Sequence, residues 1–241
     1  MGDRTFVSLV QRGYMDARLI YMIRLAGLLS LACMLVAAEP DADGLIKKVQ
    51  NRYNGARTLS VSFVEDYSVL GHDRPPEAGT LTLRKQGKMR WDYTRPVGKT
   101  FVSDGKNVFL YTAGDNRVEK VPLKDTEDMR APLAFLLGRL DMKKEFGGFN
   151  VRSGEGGDWL DASAKNDRMP YRDVQMLIAP DGSIRVLKVA GRDESLLSFS
   201  FANEKLNPPV NDNEFHFTIP AGAEVVDSVE FRARESESRE R

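Results

Sequence analysis

The chain has 241 residues, of which 41% are hydrophobic and 29% are charged, and its formal net charge is zero. These values are typical of a soluble globular protein, and the zero net charge gives no bulk attraction to nucleic acid or to anionic membranes. The length allows one large β domain or two smaller domains. The one cysteine, Cys33, lies in an apolar run near the N-terminus, so removal of that run would leave no thiol for a disulfide, a metal site or a nucleophile.

The apolar run extends from Leu25 to Ala38 and follows two arginines. It is too short to span a bilayer comfortably, but it suits the core of a secretory signal better than a buried helix or a retained anchor. Two alanines before Glu39 are typical of a cleavage region. We therefore predict a signal peptide over residues 1–38, and a start of translation at Met15 or Met22 would explain its long polar beginning.

An amphipathic helix is predicted from Asp41 to Asn54. Asp41 or Asp43 caps its start, and Gly55 ends it. Its apolar residues recur at helical spacing and form one stripe, which consists of Leu45, Ile46, Val49 and Tyr53.

A long strand is predicted from Leu59 to Val69, because apolar and polar residues alternate there. Only Glu65 interrupts the apolar face. The apolar positions are Leu59, Val61, Phe63, Tyr67 and Val69. A proline-rich loop at residues 72–76 closes the strand.

The stretch from Gly79 to Tyr111 predicts three or four strands separated by turns. Large apolar residues alternate there with charged ones, which places the two kinds of side chain on opposite faces. The apolar positions are Leu81, Leu83, Met89, Trp91 and Tyr93. Gly87, residues 96–98 and the Asp104-Gly105 pair supply the turns. This stretch therefore forms an antiparallel sheet with one apolar, aromatic face.

The rest of the chain predicts one more strand, two short helical segments and a second β region. The strand is Arg117 to Pro122, an apolar helix runs from Pro132 to Gly138, and a helical turn from Asp141 to Phe146. The further strands are Phe149–Ser153, Trp159–Ala164, Tyr171–Ile178 and Ile184–Ala190, an alternating segment at Leu197, Phe199 and Phe201, and a last strand at Phe215 and Phe217. The charged residues from Arg232 onward predict a disordered tail.

These elements predict a mainly β (α+β) fold: one strongly curved, antiparallel sheet of about eleven strands with a few short helices. No linker rich in proline or serine divides the chain, so the part after the signal peptide is predicted to be a single domain over residues 39–231, followed by the tail 232–241.

Residues for catalysis are scarce. The two histidines, His72 and His216, have no second histidine and no carboxylate at metal-ligand spacing. Hairpin turns explain the Asp104-Gly105 and Asp181-Gly182 pairs. The chain is therefore predicted not to be an enzyme and to have no catalytic residue, no metal site and no cofactor. Arginines interleaved with aromatic residues at 90–95 suggest base stacking, but export and zero net charge argue against nucleic acid as a partner.

Several segments, in this order, resemble the LolA-type periplasmic lipoprotein carriers. They are Gly79–Leu81, Met89–Tyr93, Pro96, Val102–Lys106, Tyr111, Pro132–Gly138, Pro180–Gly182 and Phe215–Gly222. The likeness extends over residues 45–226, nearly the whole chain after the signal peptide.

The resemblance implies an unclosed half-barrel of about eleven antiparallel strands, with short helices forming a lid over a hydrophobic concave face. It also implies a monomeric periplasmic chaperone that shelters the acyl chains of lipoproteins. Such carriers collect acylated lipoproteins from an ABC transporter at the inner membrane and deliver them to an outer-membrane acceptor. Two alternatives stay open: a carrier of another lipid or glycolipid, and an envelope sensor that uses the same half-barrel.

Site residues follow from matching positions. Met89 and Trp91 match the strand that contacts cargo in the family, and alternation adds Phe63, Leu81 and Leu83 to the acyl cavity. The lid residues are Leu45, Ile46 and Val49 on the first helix, and Leu133 and Leu136 on the Pro132–Gly138 helix. Ordinary core packing explains each of these residues equally well.

The chain departs from the family at two places. The family has an Arg-Pro pair, whose arginine ties the lid shut, where this chain has Lys85-Gln86. Lysine keeps the charge but loses the planar fork of donors, so Lys85 or the neighbouring Arg84 is the candidate for the latch. The family also has Phe-x-Gln where Glu65 follows Phe63 here, and a carboxylate on an apolar face must lie at its rim or find a partner.

Overall fold

The structure is a computed structural model that describes residues 41–125, 141–169 and 171–227. The predicted signal peptide, the Pro132–Gly138 helix with Leu133 and Leu136, and the charged tail lie outside these residues. Within the described ranges, no helix is long and apolar enough to cross a membrane.

The described residues form one sheet of thirteen strands, two α-helices and two short 3-10 helices. The strands are β1 (Thr58–Val69), β2 (His72–Asp73), β3 (Glu77–Arg84), β4 (Lys88–Arg95), β5 (Lys99–Asp104), β6 (Asn107–Thr112), β7 (Arg117–Pro122), β8 (Phe146–Gly154), β9 (Gly157–Ala164), β10 (Tyr171–Ile178), β11 (Ile184–Gly191), β12 (Ser195–Leu206) and β13 (Glu224–Asp227). The α-helices are α1 (Ala42–Asn54) and α2 (Met142–Glu145), and the 3-10 helices are Leu123–Asp125 and Asp212–Phe215.

The sheet is open. Its strand order is β13-β7-β6-β5-β4-β3-β1-β12-β11-β10-β9-β8, with β2 paired to β1 beside this path. The two ends of this order, β13 and β8, are different strands that do not close the sheet into a barrel. This confirms the predicted unclosed, mainly β fold. The short strands β2 and β13 account for the excess over the expected number, and β13 pairs with β7 in parallel, whereas an entirely antiparallel sheet was expected.

Helix α1 begins where the sequence places it. The carboxylate of Asp41 accepts hydrogen bonds from the backbone N–H groups of Asp43 at 3.2 Å and Gly44 at 3.1 Å, which satisfies two of the free donors of the first turn. All four residues of its apolar stripe are buried. The predicted turn after Asp141 is α2, capped in the same way by Asp141.

The predicted last strand at Phe215 and Phe217 is wrong. Phe215 ends a 3-10 helix, because Asn211 forms a capping box with Glu214 that turns the backbone away from an extended path. The residues after it have no ladder partner until β13. Phe217 instead stacks on Phe109, with ring centroids 5.3 Å apart, so the alternation of phenylalanines there reflects packing on the sheet.

The sheet has two faces, which we define by the residues they bear. Residues paired directly across antiparallel strands point to the same side, so Trp91, its partners Leu81 and Phe101, and the opposite residue Val61 share one face. We call this the inner face, because α1 packs on it. The other, outer face carries Phe109 and the segment that contains Phe217.

The core lies between the inner face and α1. It is one continuous cluster that includes residues of β1, β3, β4 and β5 from the first half of the chain and of β8 to β12 from the second half. Strands β1 and β12 pair along most of their length, from Leu59↔Leu206 to Val69↔Ser195, which joins the two halves. The described residues therefore share one core, and the division into a signal peptide, the domain 39–231 and a tail stays a prediction.

Candidate functional site

The centre of the inner face is a group of four aromatic rings. Phe63 packs edge-on against Trp91 and Tyr93, with ring centroids 4.8 and 5.3 Å away, and Phe199 lies 5.3 Å from Trp91. Edge-to-face contacts of this kind add roughly 0.5–1.5 kcal/mol per pair to the area buried. The rings come from β1, β4 and β12. They meet because β1 pairs with β12 on one side and with β3 on the other, and β3 pairs with β4.

Gly79 allows β3 and β4 to approach each other closely beside this aromatic group. Gly79 on β3 pairs with Phe63 on one side and Tyr93 on the other, beside a bulge between residues 78 and 79. A Cβ at Gly79 would lie 2.1 Å from the carbonyl oxygen of Asp92, a distance that no side chain can occupy. The close approach of β3 and β4 at this point therefore requires glycine.

The structure brings all five predicted cavity residues to the inner face. Their exposed fractions are at most 2%, and they are Phe63, Leu81, Leu83, Met89 and Trp91. An acyl chain can reach these side chains only if some covering element moves, because they have almost no contact with solvent. A packed core has the same burial, so their part in binding remains a proposal.

The cover that the structure describes over this face is α1. Leu45, Ile46 and Val49, the predicted lid residues of this helix, are buried in the same cluster as the cavity residues. Helix α2 supports the cover: the backbone N–H of Met142 donates to Gln50 Oε1 at 3.0 Å. The second predicted pair of lid residues, Leu133 and Leu136, lies outside the described residues.

The two candidates for the latch point to different sides of the sheet. Lys85 Nζ donates to the carbonyl oxygen of Asn54, the last residue of α1, at 2.9 Å. Arg84 instead donates to the carbonyl of Val210 at 3.4 Å and pairs at 3.2 Å with Asp212, the first residue of the 3-10 helix Asp212–Phe215. Of the two, Lys85 is therefore the residue placed to hold α1.

The turn after Lys85 has a backbone conformation that excludes proline at residue 86. Gln86 has a φ of 75° and Gly87 a φ of 74°. Proline is restricted to a φ near −65°, so it could not replace Gln86 in this turn. The backbone of this turn therefore excludes an Arg-Pro pair at residues 85–86, whereas Lys85 keeps the positive charge.

A stronger tie holds the end of α1, and sequence reasoning missed it. The Glu204 carboxylate on β12 accepts from Arg52 Nη2 at 2.6 Å and Nε at 2.8 Å, and from Tyr53 Oη at 2.7 Å. Tyr53 Oη in turn accepts from the backbone N–H of Ile184 on β11, at 3.0 Å. Burial and the adjacent Glu204 carboxylate raise the pKa of Tyr53, so its hydroxyl keeps its proton and remains a donor.

Glu65 lies on β1, two residues after Phe63 of the aromatic group. This carboxylate is only 4% exposed, and Tyr93 Oη donates to it at 3.4 Å. The sequence required either a rim position or a partner for a carboxylate on this face, and Tyr93 is such a partner. Neighbouring Glu77 and Lys99 form an ion pair on the same side of the sheet.

A groove on the outer face was not predicted. It has a volume of about 560 Å³ and lies over β8 to β12. Asp161 lines it. Its Oδ1 is buried and has no hydrogen-bond partner among the described residues, and its Oδ2 lies 3.3 Å from Arg152 Nε. Across the described part of the chain, no three histidine, cysteine, aspartate or glutamate side chains are grouped as they would be to hold a metal ion.

Comparison with known proteins gives consistent similarities. A sequence model of the family "Outer membrane lipoprotein carrier protein LolA" matches residues 54–218. An outer-membrane lipoprotein carrier protein of Dechloromonas aromatica is 24% identical over 202 residues, 83% of this chain and 95% of that protein. One of Bordetella avium is 28% identical over 204 residues, 83% of this chain and 93% of that protein. The family match therefore includes the end of α1 and every strand from β1 to β12.

Among solved structures, a LolA superfamily protein of Nitrosomonas europaea aligns with a TM-score of 0.41 and 8% identity, over 74% of this chain and 98% of that chain.

Proposed function

The chain belongs to the LolA family of outer membrane lipoprotein carrier proteins, and we propose that it binds the acyl chains of lipoproteins on its inner face and carries them through the periplasm. The observation that carries this proposal is the apolar inner face of an open sheet, which α1 covers within the described residues. The residues proposed to contact acyl chains are Phe63, Leu81, Leu83, Met89 and Trp91.

Burial of acyl chains explains why such a face is needed. Exposure of a hydrocarbon chain to water is unfavourable by about 0.8 kcal/mol per methylene, so a chain of ordinary length requires shelter worth on the order of 10 kcal/mol. Aromatic and aliphatic side chains from β1, β3 and β4 supply apolar surface of this kind. A carrier role requires no catalytic group, and we propose that the protein is not an enzyme.

Competition between cargo and α1 for the inner face keeps the affinity for cargo moderate. Without cargo, α1 buries Leu45, Ile46 and Val49 against the inner face, which keeps a large apolar surface from solvent. Cargo must displace part of this packing, so its net affinity is the difference between the two sets of contacts. A moderate affinity allows transfer to an acceptor without a further energy source.

The partners follow from the family. We propose that an ABC transporter complex in the inner membrane loads the carrier and that an acceptor at the outer membrane receives the cargo. We propose a periplasmic location for this role, which the signal peptide predicted over residues 1–38 supports, and we propose that the carrier acts as a monomer.

The proposal is tested by release of lipoproteins from spheroplasts. The protein is purified from the periplasm of expressing cells and incubated with spheroplasts, and newly made lipoproteins bound to it are measured in the soluble fraction. Wild type should release lipoproteins, and Met89→Glu should release much less, because a charge on the inner face opposes acyl burial. Val64→Glu is the matched control, since Val64 is 38% exposed.

Two results separate the alternatives. No release by wild type, together with free lipid found in the purified protein by mass spectrometry, would contradict lipoprotein carriage and favour a carrier of another lipid or a lipid sensor. Because Met89 is fully buried, circular dichroism must first show that Met89→Glu is folded. Trp91 fluorescence with an acylated peptide gives a second readout that needs no variant at the inner face, provided that Trp159 is replaced by phenylalanine.

A further inference from the structure

Within the described residues, helix α1 makes polar contacts with the sheet and its connecting turns only through its last turn. Three consecutive residues of that turn provide them, and they are Arg52, Tyr53 and Asn54. Their partners include the Glu204 carboxylate on β12, the backbone N–H of Ile184 on β11 and the Lys85 ammonium in the β3–β4 turn. The C-terminal end of α1 is therefore fixed at three separate places.

The preceding part of α1 is held differently. Its three apolar residues pack in the core cluster of the inner face, and they are Leu45, Ile46 and Val49. Its polar contacts go to α2: Asp43 Oδ1 lies 2.7 Å from Lys143 Nζ, and Gln50 Oε1 accepts from the backbone N–H of Met142 at 3.0 Å. The side chains of Asp43 and Lys143 are 67% and 57% exposed, and an ion pair so accessible to water contributes little to stability.

Cargo can replace one kind of contact but not the other. The hydrocarbon of an acyl chain offers the inner face an apolar surface equivalent to that of the three apolar residues of α1. It offers no hydrogen-bond donor to Glu204, whose side chain is 8% exposed and would lose its donors Arg52 and Tyr53. Displacement of α1 by cargo is therefore favourable along its apolar part and unfavourable at its last turn.

We propose that α1 pivots about its last turn, so that acyl chains enter from the side of α2, between the inner face and the part of α1 that precedes Gln50. Arg52 and Tyr53 stay bound to Glu204 in the open state, whereas the contact of Asp43 with α2 breaks. Rotation of one element about a few fixed residues is a common form of conformational change. This inference rests on the proposed function and adds to it how the cover opens and from which side cargo enters.

The pivot gives Lys85 a different role from the latch that the resemblance implies. A residue that ties the lid shut must release it before cargo can enter. Lys85 instead bonds to the carbonyl oxygen of Asn54, the last residue of α1, which lies at the pivot and moves least. Its hydrogen bond therefore persists when the cover opens, and the contact that must break is the one between α1 and α2.

The test links α1 covalently at one end or the other. Asp43→Cys with Lys143→Cys places two thiols at the contact between α1 and α2, and Asn54→Cys with Lys85→Cys places two at the pivot. Both pairs are joined by the same short bis-methanethiosulfonate reagent, which a reductant cleaves, so each linked protein is compared with its own cleaved form. The probe is an N-palmitoylated peptide with an amidated carboxyl end, whose dissociation constant is measured by calorimetry.

The link between α1 and α2 should raise the dissociation constant by about tenfold or more, because the apparent affinity falls with the population of the open state. The link at the pivot should leave it unchanged. Loss of affinity in both linked proteins, in neither, or only with the pivot linked would overturn the inference, and binding by the cleaved proteins would leave the proposed function intact. Absence of peptide binding by wild type would count against the proposed function itself.

A measurement on wild type covers the case in which a variant does not fold. Hydroxyl-radical labelling with and without the peptide reports which side chains of α1 become exposed. Labelling of Leu45 and Ile46 should rise when the peptide binds, whereas that of Tyr53, which is 1% exposed, should stay low. A rise at Tyr53 equal to the rise at Leu45 would contradict a pivot at the last turn.

Discussion

The ammonium of Lys85 donates a hydrogen bond to the carbonyl oxygen of Asn54 at 2.9 Å, which ties the turn between β3 and β4 to the last residue of α1. This bond satisfies one of the carbonyl groups that a helix leaves without an internal partner at its C-terminus. A cation at this end of the helix is also favoured by the helix dipole.

Replacement of Lys85 by methionine should loosen the cover. Lys85→Met keeps the length of the side chain but removes the donor, so we expect the free energy of unfolding to fall by about 1 kcal/mol. Binding of a hydrophobic dye should rise, because α1 releases the inner face more often. Urea denaturation and dye fluorescence measure the two effects. Lys47→Met, an exposed position on the same helix, should change neither, and an equal change in both variants would argue against the bond.

Glu204 should matter more than Lys85 for the position of α1. Glu204→Gln keeps the shape of the side chain but removes the charge that Arg52 and Tyr53 share, and the Glu204 side chain is only 8% exposed. We expect a loss of about 2 kcal/mol of unfolding free energy, since Arg52 would keep a partly buried charge with a weakened partner.

The double variant with Arg52→Met tests this coupling. The combined loss should be smaller than the sum of the two single losses, because either change alone breaks the same interaction. If the losses of the two single variants, measured by urea denaturation, add up fully in the double variant, the coupling between Glu204 and Arg52 is contradicted.

Two buried tyrosines should lower the free energy of unfolding at high pH. Burial raises the pKa of Tyr171 to about 12, with a smaller effect from the Glu145 carboxylate, and burial beside Glu204 also raises the pKa of Tyr53. A pKa that is higher in the folded state means that the unfolded chain loses its proton first as pH rises. The contribution of these two tyrosines to the free energy of unfolding is therefore fully present below pH 10, the ordinary tyrosine pKa, and it is lost as pH rises above that value.

The measurement is the free energy of unfolding by urea between pH 8 and pH 11. Tyr171→Phe should reduce the slope above pH 10, because this group no longer titrates. A slope in Tyr171→Phe equal to the slope in wild type would contradict the contribution of Tyr171.

Gly79 should not tolerate alanine. The added Cβ would lie 2.1 Å from the Asp92 carbonyl oxygen, so β3 and β4 must separate. We expect destabilisation of about 2 kcal/mol or more, in the range of an overpacked core. Gly114→Ala is the matched control, because no atom lies within 4 Å of its Cβ position and its φ does not require glycine. Similar melting temperatures for the two variants would show that the strands adjust without strain.

Alternation in the sequence was sufficient to assign the inner face. Met89, Trp91 and Tyr93 are separated by charged residues, and a strand places such positions on one side whatever its neighbours are. Helix α1 was equally well specified, since its cap and its apolar stripe depend only on residues within four positions of each other. Its start at Asp41 and all four buried residues were predicted correctly.

Contacts between distant segments were decided by the tertiary structure. Tyr53 and Glu204 are 151 residues apart in sequence and meet only because β12 pairs with β1 next to α1. The partner of Lys85 also depends on where α1 ends relative to the β3–β4 turn. The strand predicted from the alternation of Phe215 and Phe217 was wrong, because these residues pair with no strand and a capping box at Asn211 and Glu214 forms a 3-10 helix instead. The sequence by itself determined which side chains share a face, because that periodicity is local; which faces and polar groups meet was set by strand order and register, which no local pattern encodes.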